Sequence, residues 1–123
     1  MLFRSEVKRI LLSLMRHETR RGADRIARLT VAALAKEVPL LPNTHRRAGF
    51  VVLKAPDVPA ALVEMGFLSH PADEEALNRP AHRARLAAAL AGAVEGFLSA
   101  HARSSLAGAG AGATGAGNGA PPG

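Results

Sequence analysis

The sequence predicts an α/β fold in one small domain, and three observations support this prediction. Apolar residues recur at helical spacing near both ends of the 123-residue chain, and two short apolar runs lie between them. Prolines and glycines separate these segments. The predicted order, helix–helix–strand–strand–helix–helix, is typical of part of an α/β domain, because two central strands without neighbours would expose their edges.

Two helices are predicted before residue 40. The first begins near Ser5, a candidate N-cap, and Gly22 is expected to interrupt it. The second is predicted over residues 24–36, with its end set by Pro39. One face of the first helix is apolar: Val7, Ile10, Leu11, Leu14 and Met15. The expected buried face of the second carries Ile26, Leu29, Ala33 and Leu34.

Two strands are predicted in the middle of the chain. Residues 50–53 and 61–65 are short apolar runs between breakers, a pattern that suits strands buried on both faces. The linker over residues 55–59 is too short to hold a helical crossover. The two strands are therefore expected to be antiparallel or not adjacent.

Helices are predicted again after Gly66. Pro71 suits the first position of a helix, and a long helix is expected over residues 81–101. Residues 104–123 hold 7 of the 12 glycines and are predicted to be a disordered tail, which leaves residues 1–103 as the domain. The expected buried face of the long helix carries Leu86, Leu90, Ala93, Val94 and Phe97.

Glu64 is the residue with the clearest chemical signal. It lies in the run ALVEMGFL, where every neighbour is apolar or glycine, and an ionised carboxylate buried there must be paired, metal-bound or shifted in pKa. It also falls at the end of a predicted strand, where ligands of open α/β sheets gather. Glu64 is therefore a candidate general base with a raised pKa. The alternative is a structural salt bridge to Arg46 or Arg47.

Composition excludes several kinds of site. The chain has no Cys, so a disulfide framework, a cysteine-ligated metal and a cysteine nucleophile are excluded. No apolar run is long enough to span a bilayer. The apolar run over residues 10–15 is followed by Arg16 rather than by the small residues of a signal-peptide cleavage site. The histidines show no metal-ligand spacing. A structural role or a polymer contact is expected for His45, which precedes two arginines.

The net charge of +6 is concentrated in the first part of the chain. Residues 1–47 carry 11 Lys and Arg against 4 Asp and Glu, which favours an anionic partner or simply a solvated helix face. Phe3 is the one aromatic residue in this part, so no stacking platform accompanies the basic residues. Nucleic acid is therefore not expected as a partner.

The middle of the chain resembles a known family. Residues 45–69, HRRAGFVVLKAPDVPAALVEMGFLS, resemble the C-terminal part of the zinc-dependent N-acetylmuramoyl-L-alanine amidases of bacterial cell walls. The flanking helices agree, so that the resemblance covers about residues 5–100. At position 70 this chain has His where the family usually has Asn, a better N-cap.

The resemblance implies a fold and a reaction. The fold is a phosphorylase/hydrolase-like three-layer α/β/α domain, of which this chain is expected to be the C-terminal part without the N-terminal strands. Glu64 matches the family's catalytic glutamate, the general base toward a zinc-bound water in hydrolysis of the amide between N-acetylmuramic acid and L-alanine. The family's zinc ligands lie in motifs that precede this region, so no metal ligand is carried over.

The resemblance also implies peptidoglycan as partner and the periplasm or cell wall as location, although the chain itself shows no signal peptide. Arg46 and Arg47 are candidate substrate-binding residues. An alternative interpretation is a non-catalytic peptidoglycan-binding module that uses these two arginines and the basic helices. Membrane binding is not expected, and the oligomeric state is open.

Overall fold

Three helices form most of the structure. The computed structural model describes residues 2–42, 44–45, 53 and 55–112. Helix α1 spans Leu2–Leu34, α2 spans Pro71–Asn78 and α3 spans Pro80–Gly112. Within these described ranges, no helix is long and apolar enough to cross a membrane.

The predicted α/β fold is wrong for the part of the chain that the structure describes, because that part contains helices and no strand. Residues 61–65, predicted as a strand, lie in a segment with no regular structure. A strand is stable only when a neighbour pairs its backbone groups, and no described segment does so. The other predicted strand is residues 50–53, of which residues 50–52 lie outside the described residues. The three-layer α/β/α arrangement is contradicted by the same observation.

Gly22 does not interrupt α1, which continues for 33 residues through it. A glycine inside a helix costs up to about 1 kcal/mol relative to alanine. At this position the missing side chain makes room for Pro59, because a Cβ at position 22 would lie 2.7 Å from Pro59 Cγ. The two predicted N-terminal helices are therefore one, and Ser5 lies within it rather than at its N-cap.

Helices α1 and α3 pack against each other in antiparallel orientation. Near one end, Arg85 Nε lies 3.9 Å from Glu37 Oε2, just beyond the C-terminus of α1. Further along, Phe97 approaches Gly22, so the two helices run in opposite directions. Thr30 is buried between them and its hydroxyl donates a hydrogen bond of 2.8 Å to its own helix. The buried apolar residues are Leu34, Leu86 and Ala93.

The predicted buried faces are only partly realised. Leu34, Leu86 and Ala93 are buried as predicted, whereas Val94 is 45% exposed. The remaining predicted core residues are half-buried: Ile26, Leu29, Ala33, Leu90 and Phe97. The apolar stripe of the first half of α1, which consists of Val7, Ile10, Leu11, Leu14 and Met15, is exposed throughout. The core therefore lies between the second half of α1 and the first half of α3.

Helix α2 begins at Pro71, as predicted, with His70 as its N-cap. Helix α3 begins at Pro80 and continues to Gly112, beyond the predicted end at residue 101. Residues 104–112 of the segment predicted as a tail are thus helical, and residues 113–123 lie outside the described residues. The domain boundary at residue 103 stays a prediction.

Candidate active site around Glu64

Glu64 lies in the irregular segment between α1 and α2, and its side chain is exposed. The expectation of a buried carboxylate is wrong, because the apolar neighbours that predicted burial are exposed as well. Leu62 is 53% exposed and Met65 is 55% exposed. Val63 is half-buried, and the side chain of Glu64 itself is exposed to solvent.

The segment is fixed to α1 on the N-terminal side of Glu64. The hydroxyl of Thr19 donates a hydrogen bond of 2.8 Å to the carbonyl oxygen of Pro56. Three residues further along α1, Gly22 accommodates the ring of Pro59. The run APDVP, singled out in the sequence, thus docks on the middle of α1.

The segment is fixed to α2 on the C-terminal side of Glu64. The backbone N–H of Phe67 donates to Asp73 Oδ2 at 3.0 Å, and His70 N–H donates to the carbonyl oxygen of Phe67 at 3.0 Å. Between Glu64 and Phe67, Gly66 has a φ of +148°, a backbone conformation that favours glycine. Asp73 packs over this glycine, since a Cβ there would lie 3.3 Å from Asp73 Oδ2. Glu64 therefore lies between residues 56–59, which contact α1, and Phe67, which is hydrogen-bonded to α2.

Sequence reasoning missed Asp73. Asp73 could have been noticed from its position in the first turn of α2, three residues after the N-cap. A capping-box side chain at this position bonds to the backbone that precedes the helix. In a capping box that side chain bonds the N-cap itself. In this chain the bond goes three residues further back, to Phe67, which sequence spacing alone does not indicate.

The remaining predicted residues are placed as follows. His45 Nε2 lies 3.7 Å from Asp24 Oδ1 on α1, a pair that is ionic when the imidazole is protonated. This contact agrees with the structural role expected for His45. Arg46 and Arg47 lie outside the described residues, so their predicted contacts with substrate or with Glu64 stay predictions.

The described residues contain no metal-binding cluster. Within residues 2–42, 44–45, 53 and 55–112, no group of three His, Cys, Asp or Glu side chains could hold a metal ion. Glu64 is an exposed carboxylate on a segment held by hydrogen bonds on both sides. Chemically, an exposed carboxylate can act as a proton acceptor.

Comparison with known proteins identifies the family to which this chain belongs. The Amidase_3 family model, N-acetylmuramoyl-L-alanine amidase, matches residues 8–96. The chain therefore belongs to the N-acetylmuramoyl-L-alanine amidase family, which confirms the resemblance drawn from residues 45–69.

Three relatives show the extent of the similarity. The chain is 33% identical to N-acetylmuramoyl-L-alanine amidase AmiC of Neisseria meningitidis over 88 residues, which cover 72% of this chain and 21% of the relative. It is 39% identical to AmiA of Escherichia coli K12 over 70 residues, 54% of this chain and 23% of the relative. It is 33% identical to the probable cell wall amidase LytH of Staphylococcus epidermidis over 60 residues, 49% of this chain and 21% of the relative.

The chain thus spans about a fifth of the length of these curated relatives. No solved structure matches it.

Proposed function

We propose that this protein acts in hydrolysis of the amide between N-acetylmuramic acid and the L-alanine of the peptidoglycan stem peptide, with Glu64 as the general base. The observation that carries the proposal is the family match over residues 8–96, which includes Glu64 and the runs VLKAPDVP and LVEMGFLS around it. The relatives named as amidases supply the reaction class.

The position of Glu64 supports this role. Its carboxylate accepts a proton from the water that attacks the amide carbonyl, and it returns that proton to the departing nitrogen. The products are the lactyl carboxylate of the sugar and the free amine of L-alanine. A cross-linked polymer cannot enter a deep cavity, so an exposed glutamate on a loop held at both ends suits such a substrate.

Zinc, which the family resemblance implies, finds no fitting donor set among the residues that the structure describes. The roles proposed for Glu64 and its neighbours are proton transfer and the positioning of the loop.

The proposed location is the periplasm or cell wall, where the substrate is found. It is supported by the relatives named as probable cell wall amidases.

The test of the proposed reaction is product identity. Purified peptidoglycan is incubated with the chain in a zinc-containing buffer, and the soluble products are analysed by mass spectrometry. We expect stem peptides with a free N-terminal L-alanine and glycan strands with a free lactyl carboxylate. Products cut between sugars or within the stem peptide, or no release at all, would overturn the proposal.

A second candidate function is peptidoglycan binding without catalysis, favoured by one observation. Arg9, Arg16 and Arg20 are exposed on α1 and lie on one face, at spacings of seven and four residues. Such a row attracts the carboxylates of stem peptides in a salt-dependent manner. Binding to insoluble peptidoglycan that weakens in Arg16→Ala and persists in Glu64→Gln would favour this function.

A further inference from the structure

We propose that Asp73 is a positioning residue for Glu64, which it holds in place by fixing the backbone turn at Gly66 and Phe67. The inference rests on the proposed function, since it assigns Asp73 a part in the work of Glu64. Three observations carry it: a hydrogen bond, a glycine conformation and a helix cap.

The hydrogen bond connects α2 to the turn that follows Glu64. Phe67 N–H donates to Asp73 Oδ2 at 3.0 Å, three residues after Glu64. Bonds between a backbone amide and a carboxylate are about twice as strong as those between neutral groups. Residues 61–67 have no regular structure, so this bond restricts the position of the backbone near Glu64.

The same side chain lies next to Gly66. The φ of +148° at Gly66 turns the chain away from Glu64 toward α2. The side chain of Asp73 lies directly over this glycine, with its Cβ and Oδ2 both 3.3 Å from the place of a Gly66 Cβ. Asp73 thus fixes two successive residues of the turn, one by packing and one by a hydrogen bond.

The third observation concerns the N-cap of α2. His70, the N-cap residue, makes no side-chain capping bond. The other oxygen of Asp73, Oδ1, lies 3.5 Å from His70 Nδ1, an exposed pair that is ionic only when the imidazole is protonated, so the hydrogen bond to Phe67 is the main contact of this carboxylate. Asp73 is the side chain that links the start of α2 to the loop of Glu64.

The test compares three variants of the full chain by NMR. Asp73→Ala removes the acceptor, Asp73→Asn keeps an acceptor oxygen without the charge, and Glu74→Ala removes the neighbouring first-turn charge as a control. In Asp73→Ala we expect the Phe67 amide to exchange at least about tenfold faster, because the lost bond has a charged acceptor, and we expect the Glu64 amide resonance to move. Glu74→Ala should leave both signals close to wild type, whereas Asp73→Asn, which keeps a neutral acceptor, should give values between those of wild type and Asp73→Ala.

Hydrolysis measurements complete the test. Because Asp73 acts through Glu64, Asp73→Ala should lower kcat and leave KM unchanged, Asp73→Asn should restore most of kcat, and Glu74→Ala should match wild type. The proposal is overturned if the Phe67 and Glu64 amides of Asp73→Ala behave as in wild type, if Glu74→Ala reproduces the loss, or if kcat stays constant. It is also overturned if Asp73→Asn behaves like Asp73→Ala, because the charge rather than the acceptor would then be responsible.

Failure of the proposed function is a separate result. A wild-type chain that releases no stem peptide would contradict the amidase proposal, while the NMR comparison would still decide whether Asp73 fixes the Glu64 loop. Helices α1 and α3 report folding in each variant by circular dichroism at 222 nm.

Discussion

Gly22 shows how a single residue sets the path of the site segment. Its missing side chain lets Pro59 approach α1, while Thr19 one turn earlier binds Pro56. The helix tolerates the glycine because this close approach compensates for its poor helix propensity. The anchoring of the Glu64 segment on α1 therefore depends on position 22 remaining small.

Gly22→Ala should destabilise the protein, whereas Gly92→Ala should stabilise it. A Cβ at 2.7 Å from Pro59 Cγ forces the proline ring away, and overpacking of this kind costs about 1–3 kcal/mol. Gly92 in α3 has no atom within 4 Å of its Cβ position, so Gly92→Ala should raise the free energy of unfolding by about 0.5–1 kcal/mol. Urea unfolding followed by circular dichroism measures both changes. Equal gains in the two variants would contradict the described contact.

Glu64 shows what sequence can predict at the residue scale. A carboxylate among apolar residues marked it as unusual, and the family resemblance assigned it a role. Its burial was predicted wrongly, because burial depends on elements that cover the segment and not on the residue's own neighbours in sequence. Asp73 was missed because its bond to Phe67 spans six residues across a glycine turn.

At the scale of elements, the presence of helices and the start of α2 were easier to predict than strands or the other helix bounds. Pro71 fixed the start of α2 because its missing N–H and preset φ suit the first turn of a helix. A helix satisfies its own backbone, whereas a strand requires a partner. The run over residues 61–65 has strand-forming composition but no strand beside it in the described structure. Local pattern alone could not supply that information.

His70→Asn should stabilise α2. His70 is the N-cap and makes no side-chain capping bond, whereas asparagine is among the best N-cap residues. We expect the free energy of unfolding to rise by about 0.5–1 kcal/mol, with slower hydrogen exchange in α2. The exposed His70–Asp73 pair that is lost contributes little.

Ser69→Asn is the matched control, since it places the same side chain one residue before the cap. Both variants are compared by thermal unfolding and by amide exchange. Equal behaviour of His70→Asn and Ser69→Asn would show that the N-cap of α2 is not at residue 70.

At the scale of the whole molecule, the described structure has a small core and a large exposed apolar surface. Leu34, Leu86 and Ala93 are buried, whereas the apolar stripe of α1 is exposed. The helical periodicity of that stripe was predicted correctly from the sequence, since α1 includes it. Periodicity identifies an apolar face, but it does not identify what packs against that face.

Leu86→Ala should be the most destabilising leucine truncation in α3. Leu86 is 3% exposed, and truncation of a buried leucine costs about 2–5 kcal/mol. Leu106, in the same helix, is 74% exposed, so Leu106→Ala should change stability by less than about 0.5 kcal/mol. Urea unfolding of both variants provides the comparison. Similar losses in the two would place the core elsewhere along α3.

The measurement that tests the central claim most directly is the rate of stem-peptide release by Glu64→Gln. Glutamine keeps the size of the side chain and removes the proton acceptor, and the loss of a general base lowers rates by about 100-fold to 10,000-fold. The control is Glu75→Gln, the same change at an exposed glutamate of α2. We predict that Glu64→Gln loses release of peptides with free N-terminal L-alanine while Glu75→Gln retains the wild-type rate. Equal rates in the two variants would contradict the assignment of Glu64 as the base.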